Sequence, residues 1–209
     1  MIRVLIADDH AIVRRGLRQL LIEEYPSARI EEVGDAETLI SKALQDEWDV
    51  VICDLSMPGR SGLDALRQIR QSSPSLPVLI MSMHPEDQYA LRVLKAGASG
   101  YLNKESIHEE VIRAIYTVLL GKKFITPSIA ERLAEAIDPD SGKQLHEALS
   151  DREFDVFKLI ATGKSVSEIA SQLSLSVTTV STYRSRIMDK MKMRSNAELT
   201  RYALEKSLI

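Results

Sequence analysis

Along the first 120 residues, short apolar runs alternate with stretches whose apolar positions return every three or four residues. The runs "VLIA" (4–7), "DVVICD" (49–54), "VLIMS" (78–82) and "GYLN" (100–103) predict strands buried on both faces, with "RIEEV" (29–33) a weaker member. Between them, Val13, Leu17, Leu20 and Leu21 share one helical face, as do Val111, Ile115, Val118 and Leu119. Helices alternating with such strands predict right-handed crossovers and a parallel sheet covered on both sides. The expectation is an α/β domain of five strands and five helices, with ligands bound at the carboxyl edge of the sheet.

The pattern then changes. "TPSIAERLAEAI" (126–137) predicts a helix opened by Thr126 and Pro127, and "DPDSGK" (138–143) has turn chemistry without apolar content and is expected to be a linker. "SDRE" (150–153) has the spacing of a capping box ahead of the apolar "FDVFKLIA", and Gly163 suits that helix's stop. "VSEIASQL" (166–173) repeats the helical period through Val166, Ile169, Ala170 and Leu173. A short "SLS" turn leads into "VTTVSTYRSRIMDKM" (177–191), where Val180, Ile187 and Met191 form the inward stripe. No strand is expected after residue 125.

Composition narrows the class. With 44% hydrophobic and 27% charged residues the 209-residue chain is expected to be globular rather than disordered. A single cysteine, Cys53, excludes an intramolecular disulfide and any multi-cysteine metal site. No apolar run reaches the roughly 20 residues that span a bilayer, and the charged "DDH" near the start does not fit a signal peptide, so a cytoplasmic location without membrane partners is expected. The net charge of −3 hides an asymmetry: residues 178–206 carry seven Lys and Arg against three Asp and Glu, a local +4 that leaves −7 on the remainder.

The strand ends carry the chemistry. Asp8 and Asp9 follow the first strand, Asp54 ends the third, Ser82 the fourth, and Lys104 follows the fifth. Singly, each has an ordinary structural explanation as a helix cap, a strand-end hydroxyl or a solvated lysine. Jointly, at corresponding ends of four of five strands, they point to a hard cation such as Mg²⁺ held by Asp8, Asp9 and Asp54, with the backbone carbonyl of Ser56 in the next loop as a further ligand. The chemistry that set suggests is phosphorylation of a carboxylate: Asp54 as nucleophile, with Lys104 and Ser82 gripping phosphoryl oxygens.

Those residues bring a resemblance with them. Residues 1 to about 120 resemble the receiver domain of two-component response regulators, a flavodoxin-like (βα)5 fold, through Asp8 and Asp9, Asp54 in "ICDLSMPGRSG", Ser82 in "VLIMS" and Lys104 in "GYLNK". The resemblance implies direct ligation of Mg²⁺ by Asp9 and Asp54, with Asp8 acting largely through water. It also makes Tyr101 the switch aromatic that follows Ser82. Two positions depart from the pattern: Met83 replaces a small residue and is expected to narrow the site, and Glu105 stands where proline is common, so no cis peptide is implied there.

At the far end, small hydrogen-bonding side chains flanked by arginines suit a DNA major groove. From charge alone a solvated basic face would explain this helix as well. Residues 149–209 resemble the LuxR-type helix-turn-helix of the NarL/FixJ regulators through "LSDRE", "GKSVSEIA", "TVSTY" and "ELTRYALEKSLI", with Tyr183 where many members have histidine. The resemblance makes Thr178, Thr179, Ser181, Thr182, Arg184, Ser185, Arg186 and Lys190 candidate DNA contacts. It also implies that the final helix, around Asn196 to Ser207, pairs two protomers on an inverted repeat.

The reading that follows has three segments: a receiver (1–122), a linker with a helix (123–147) and an all-α helix-turn-helix domain (148–209). The expected function is a phosphorylation-regulated, DNA-binding transcriptional regulator without enzymatic turnover beyond slow autodephosphorylation. Its expected partners are a sensor histidine kinase or small acyl phosphate donor, double-stranded DNA, and a second copy of itself when active. The alternatives are a Mg²⁺-dependent phosphohydrolase of the haloacid dehalogenase type, which would want an acid where Ser56 stands, and a phosphorylation-independent regulator. His10 carries no assigned role.

Overall fold

The five apolar runs become five strands in a computed structural model of the chain: β1 (Arg3–Ala7), β2 (Arg29–Val33), β3 (Val50–Asp54), β4 (Val78–Ser82) and β5 (Gly100–Asn103). All pair in parallel in the order β2-β1-β3-β4-β5, so β1 and β3 are neighbours at the centre. The helices between them are α1 (Ala11–Glu24), α2 (Ala36–Gln45), α3 (Gly62–Ser72), α4 (Glu86–Lys95) and α5 (Ile107–Leu119). The structure describes residues 1–137 and 144–209, so the "DPDSGK" linker segment lies outside the described residues. The chain divides into two units, Met1–Ile137 and Asp138–Ile209.

Burial on both faces explains why these strands read as apolar runs. On one face Val4, Ile6, Val50, Ile52, Leu79 and Met81 pack with Leu17 and Leu21 of α1 and Val111, Ile115 and Val118 of α5. Each such side chain, fully removed from water, contributes about 1.5–3 kcal/mol. The alternate residues Leu5, Val51 and Ile80 are equally inaccessible on the other face. Leu119, placed with the inner stripe by periodicity, is exposed. At 100° per residue it lies well round from Val111, in the last turn of the helix.

Beyond α5 the chain returns to the sheet edge. The Phe124 amide donates to Ser99 O at 2.8 Å, and Phe124 forms an isolated parallel bridge with Gly100. A Cβ on Gly100 would stand 2.9 Å from the Phe124 Cβ, so glycine is needed for this approach. The predicted helix then forms as α6 (Pro127–Ile137), with Thr126 Oγ1 accepting from the Ile129 amide and donating to Glu86 Oε2 of α4 at 2.7 Å. Helix α6 packs on α4.

The second unit is helical: a 3-10 turn (Leu145–Ala148), then α7 (Asp151–Ala161), α8 (Val166–Gln172), α9 (Val177–Met191) and α10 (Asn196–Glu205). The predicted capping box at Ser150 and Glu153 is present, and a second one, Ser165 with Glu168, opens α8. Gly163 follows α7 with φ +85°. Phe154, Phe157 and Tyr202 make the aromatic core where α7 meets α10. Ser174, in the turn before α9, takes the left-handed conformation with φ 53°.

Candidate functional site

Strand order brings the acids together. Ala7 pairs with Cys53 in register, so the residues after them, Asp8 and Asp54, emerge side by side at the carboxyl edge. Asp8 is fully buried and Asp54 nearly so. Ligand atoms of Asp8, Asp9, His10 and Asp54 all lie within 4.8 Å of one another. The loop after Asp54 is pinned by close packing: Gly62 donates to Leu55 O at 3.0 Å, and a Cβ on Gly62 would fall 1.9 Å from Asp54 O. Only glycine lets α3 begin so near the end of β3.

Lys104 reaches into this cluster from the end of β5. Its Nζ lies 2.7 Å from Asp8 Oδ2 and 3.1 Å from Asp54 Oδ2, with the side chain only 9% exposed. Burial opposes the ammonium, but the bond to Asp8 and the charge of Asp54 outweigh it and hold its pKa above the ordinary lysine value. Burial also dominates at Asp54, where it holds the carboxyl above the ordinary aspartate value; Lys104 pulls it down and Asp8 pushes it up. Both partners rise because two buried carboxylates share one cation, which satisfies the lysine better than either acid. Asp8 Oδ2, fully buried, has the Lys104 ammonium as its partner. Three carboxylates gathered at one sheet edge form an oxygen donor set that fits a hard divalent cation.

Ser82 and Tyr101 are linked through His84. Ser82 Oγ accepts from the His84 amide at 3.0 Å, and the Tyr101 hydroxyl donates to His84 O at 2.6 Å. Tyr101 is fully buried, and the His84 ring stacks on Tyr89 of α4 with centroids 4.6 Å apart. Met83, expected to narrow the site, is 61% exposed and borders a surface groove with Ile12, Leu20 and Lys104. The Ser56 amide hydrogen-bonds to the Asp54 carboxylate. Burial pushes the Cys53 thiol well above its ordinary range, so this cysteine is no nucleophile.

In the helical unit, Val180, Ile187 and Met191 face inward as the stripe predicts. Thr178, Ser181, Thr182 and Ser185 are exposed and, at i, i+3, i+4 and i+7, share the opposite face; Arg186 is exposed at its border. Thr179 is half-buried and its amide donates to the capping Ser176. Arg184 Nε donates to Asn196 Oδ1 at 2.9 Å. Lys190 is engaged within the unit, its Nζ 2.6 Å from Oε2 of the buried Glu153. This bond ties α9 to the capping box of α7, a link the linear pattern does not display.

Comparison with known proteins decides the family. Residues 4–116 match the model of the response regulator receiver domain, and residues 147–203 that of the bacterial regulatory proteins, luxR family. The chain belongs to the NarL/FixJ response regulators. Response regulator UvrY of Escherichia coli (strain K12) is 35% identical over 209 residues, covering 100% of this chain and 96% of UvrY. The oxygen regulatory protein NreC of Staphylococcus carnosus (strain TM300) is 36% identical, covering 99% of both. Among solved structures, RcsB from Salmonella enterica serovar Typhimurium, bound to promoter rprA in the presence of phosphomimetic BeF3-, has a TM-score of 0.62 at 27% identity, covering 97% of this chain and 98% of that one. An RcsB–DNA complex has a TM-score of 0.58 at 29% identity and 96% coverage of each chain. The membership of this response regulator bears out the expected fold, a flavodoxin-like receiver followed by a helical domain, and sets aside the haloacid dehalogenase alternative. Among the described residues, no helix is long and apolar enough to cross a membrane.

Proposed function

We propose that Asp54 accepts a phosphoryl group from a sensor histidine kinase or a small acyl phosphate, and that this modification controls dimerisation and promoter binding by the helical unit. The observation that carries the reading is the Lys104 ammonium lodged between Asp8 and Asp54 at a sheet edge that also bears Asp9 and Ser82. An Asp54 carboxylate oxygen attacks phosphorus as the bond from phosphorus to the donor breaks, leaving an acyl phosphate. The carboxylates of Asp8, Asp9 and Asp54 and the Ser56 carbonyl would hold Mg²⁺, which when bound neutralises charge on the phosphoryl oxygens. Lys104 exchanges its bond to the Asp54 carboxylate for a phosphoryl oxygen.

The modification replaces the single carboxylate charge by a phosphoryl group carrying about −1.5 to −2, a net gain of about −0.5 to −1. To grip a phosphoryl oxygen the Ser82 hydroxyl swings toward Asp54 and donates its proton there, which shifts the oxygen that accepts from the His84 amide. Because the Tyr101 hydroxyl holds His84 O, this rearrangement bears directly on Tyr101 and, through the His84 ring, on Tyr89 of α4. Phosphorylation shifts the equilibrium by its differential stabilisation of the two arrangements.

For DNA, the exposed face of Thr178, Ser181, Thr182 and Ser185 approaches base edges in the major groove, while Arg184 and Arg186 contact phosphates and Thr179 and Lys190 lie along the same helix. Leu204, 60% exposed on α10, supplies an apolar contact for a second copy. The full acid, hydroxyl and lysine set argues against a phosphorylation-independent regulator. The test is selection of bound sequences from a random DNA pool with and without an acyl phosphate donor, for the wild type and Asp54→Asn. Donor-dependent enrichment of an inverted repeat, lost in the variant, is expected; identical enrichment in all four arms would overturn the reading.

A further inference from the structure

His10 directs its side chain at the acidic cluster rather than at its own helix. It occupies the N-cap position of α1 but makes no side-chain capping bond, and the ring is 65% exposed, so it neither caps nor packs. The ring instead turns to the acids: Nδ1 stands 2.7 Å from Asp9 Oδ1 and 3.2 Å from Asp8 Oδ1. Two ligands at right angles on a first-row divalent ion, each about 2.1 Å from it, stand about 3.0 Å apart. The two distances bracket that value. The 4.8 Å spread of the four-residue set slightly exceeds the roughly 4.2 Å between opposite ligands, so small side-chain movements would close it.

We infer that His10 supplies a nitrogen ligand to the cation of this pocket and moves its preference from Mg²⁺ toward first-row transition ions such as Mn²⁺ and Co²⁺. The inference rests on the reading of the pocket as a divalent-cation site. Mg²⁺ is a hard ion that favours oxygen and water ligands, whereas imidazole binds first-row transition metals well. A neutral nitrogen donor therefore adds little for Mg²⁺ and more for Mn²⁺, although Mn²⁺ gains least among the first-row transition ions. The backbone amide of His10 already donates to Asp8 Oδ1 at 2.8 Å, which fixes the loop and keeps the ring beside the acids.

The experiment is calorimetric titration of the full chain with Mg²⁺ and with Mn²⁺, for the wild type, His10→Ala and His10→Asn. Pulsed electron paramagnetic resonance of the Mn²⁺-bound protein accompanies it. The wild type should show nitrogen coupling to Mn²⁺. His10→Ala should lose that coupling and about tenfold in Mn²⁺ affinity, with less than about a threefold change for Mg²⁺. His10→Asn, which restores an oxygen donor, should bind Mg²⁺ as the wild type does and still lack the Mn²⁺ preference; unchanged Trp48 fluorescence shows both variants folded. Binding of both ions without nitrogen coupling in the wild type would overturn this inference alone. So would an equal change, or a gain, for both ions in His10→Ala, because the ring would then act as a counter-charge. If neither ion binds the wild type, the cation reading of the pocket fails as well.

Discussion

Replacing Gly62 by alanine tests the packing that holds Asp54 in place. The added Cβ would stand 1.9 Å from Asp54 O and 3.0 Å from the Cys53 Sγ, whereas a carbon approaches a carbonyl oxygen to about 3.3 Å at closest. The first turn of α3 must therefore retreat by more than about 1 Å from the end of β3. That movement breaks the 3.0 Å bond from the Gly62 amide to Leu55 O and loosens the buried Leu63 and Leu66. Overpacking of this kind costs about 1–3 kcal/mol and the lost hydrogen bond about 1 kcal/mol, offset by about 0.4–1 kcal/mol from the stiffer unfolded chain. A net loss of about 1–3.5 kcal/mol is expected, which at a urea dependence of about 2 kcal/mol/M lowers the midpoint by about 0.5–2 M. Trp48 is the only tryptophan and lies buried in the first unit, so its fluorescence follows that unit's unfolding. Gly16→Ala is the control, because its Cβ would meet nothing within 4 Å. A Gly62→Ala unfolding free energy within about 0.5 kcal/mol of the wild type would refute the packing argument.

Three further outcomes are expected. Asp54→Asn should abolish acyl phosphate labelling, yet stabilise the chelator-treated protein at neutral pH: the Asp54 pKa is raised by folding, so the stability it contributes at low pH is lost as pH rises through the folded-state value. The advantage of the variant should fade as pH falls below the unfolded aspartate value of about 3.9, and a urea midpoint no higher than wild type at neutral pH would count against the buried-charge argument. Arg184→Ala with Arg186→Ala should weaken DNA binding broadly and reduce the slope of log K against log salt by about 1.8, read by fluorescence anisotropy across a salt series; an unchanged slope would exclude phosphate contacts by these residues. Ser174→Gly should raise the stability of the helical unit by about 0.5–1 kcal/mol, because φ 53° strains a serine; circular dichroism melting that shows no gain would contradict this.

Much of the fold was legible because burial on two faces leaves a direct mark. "RIEEV", "VLIMS" and "GYLN" mark β2, β4 and β5 residue for residue, and the α9 stripe of Val180, Ile187 and Met191 is buried as its spacing requires. Capping chemistry at Ser150 and Glu153 is also local and was readable. The left-handed turn at Ser174 was not, since serine carries no mark of positive φ. Nor was the docking of α6 on α4 through Thr126 and Glu86, which lie 40 residues apart.

For the site, the division follows the range of the forces involved. The chain alone determined that carboxylates, a hydroxyl and a lysine stand at strand ends, because strand boundaries follow from hydrophobic period and each residue type from its place in the chain. Only the tertiary structure decided how they meet. The β2-β1-β3-β4-β5 order makes Asp8 and Asp54 neighbours, Gly62 admits α3 against them, and Lys104 closes between two acids that cannot both be satisfied by one charge. The same holds for His10, whose ring is turned onto Asp8 and Asp9 by a backbone bond two residues back, and for Lys190, held by a capping glutamate 37 residues earlier. Electrostatic coupling depends on separations of a few ångströms between residues far apart in sequence, and folding alone sets those distances.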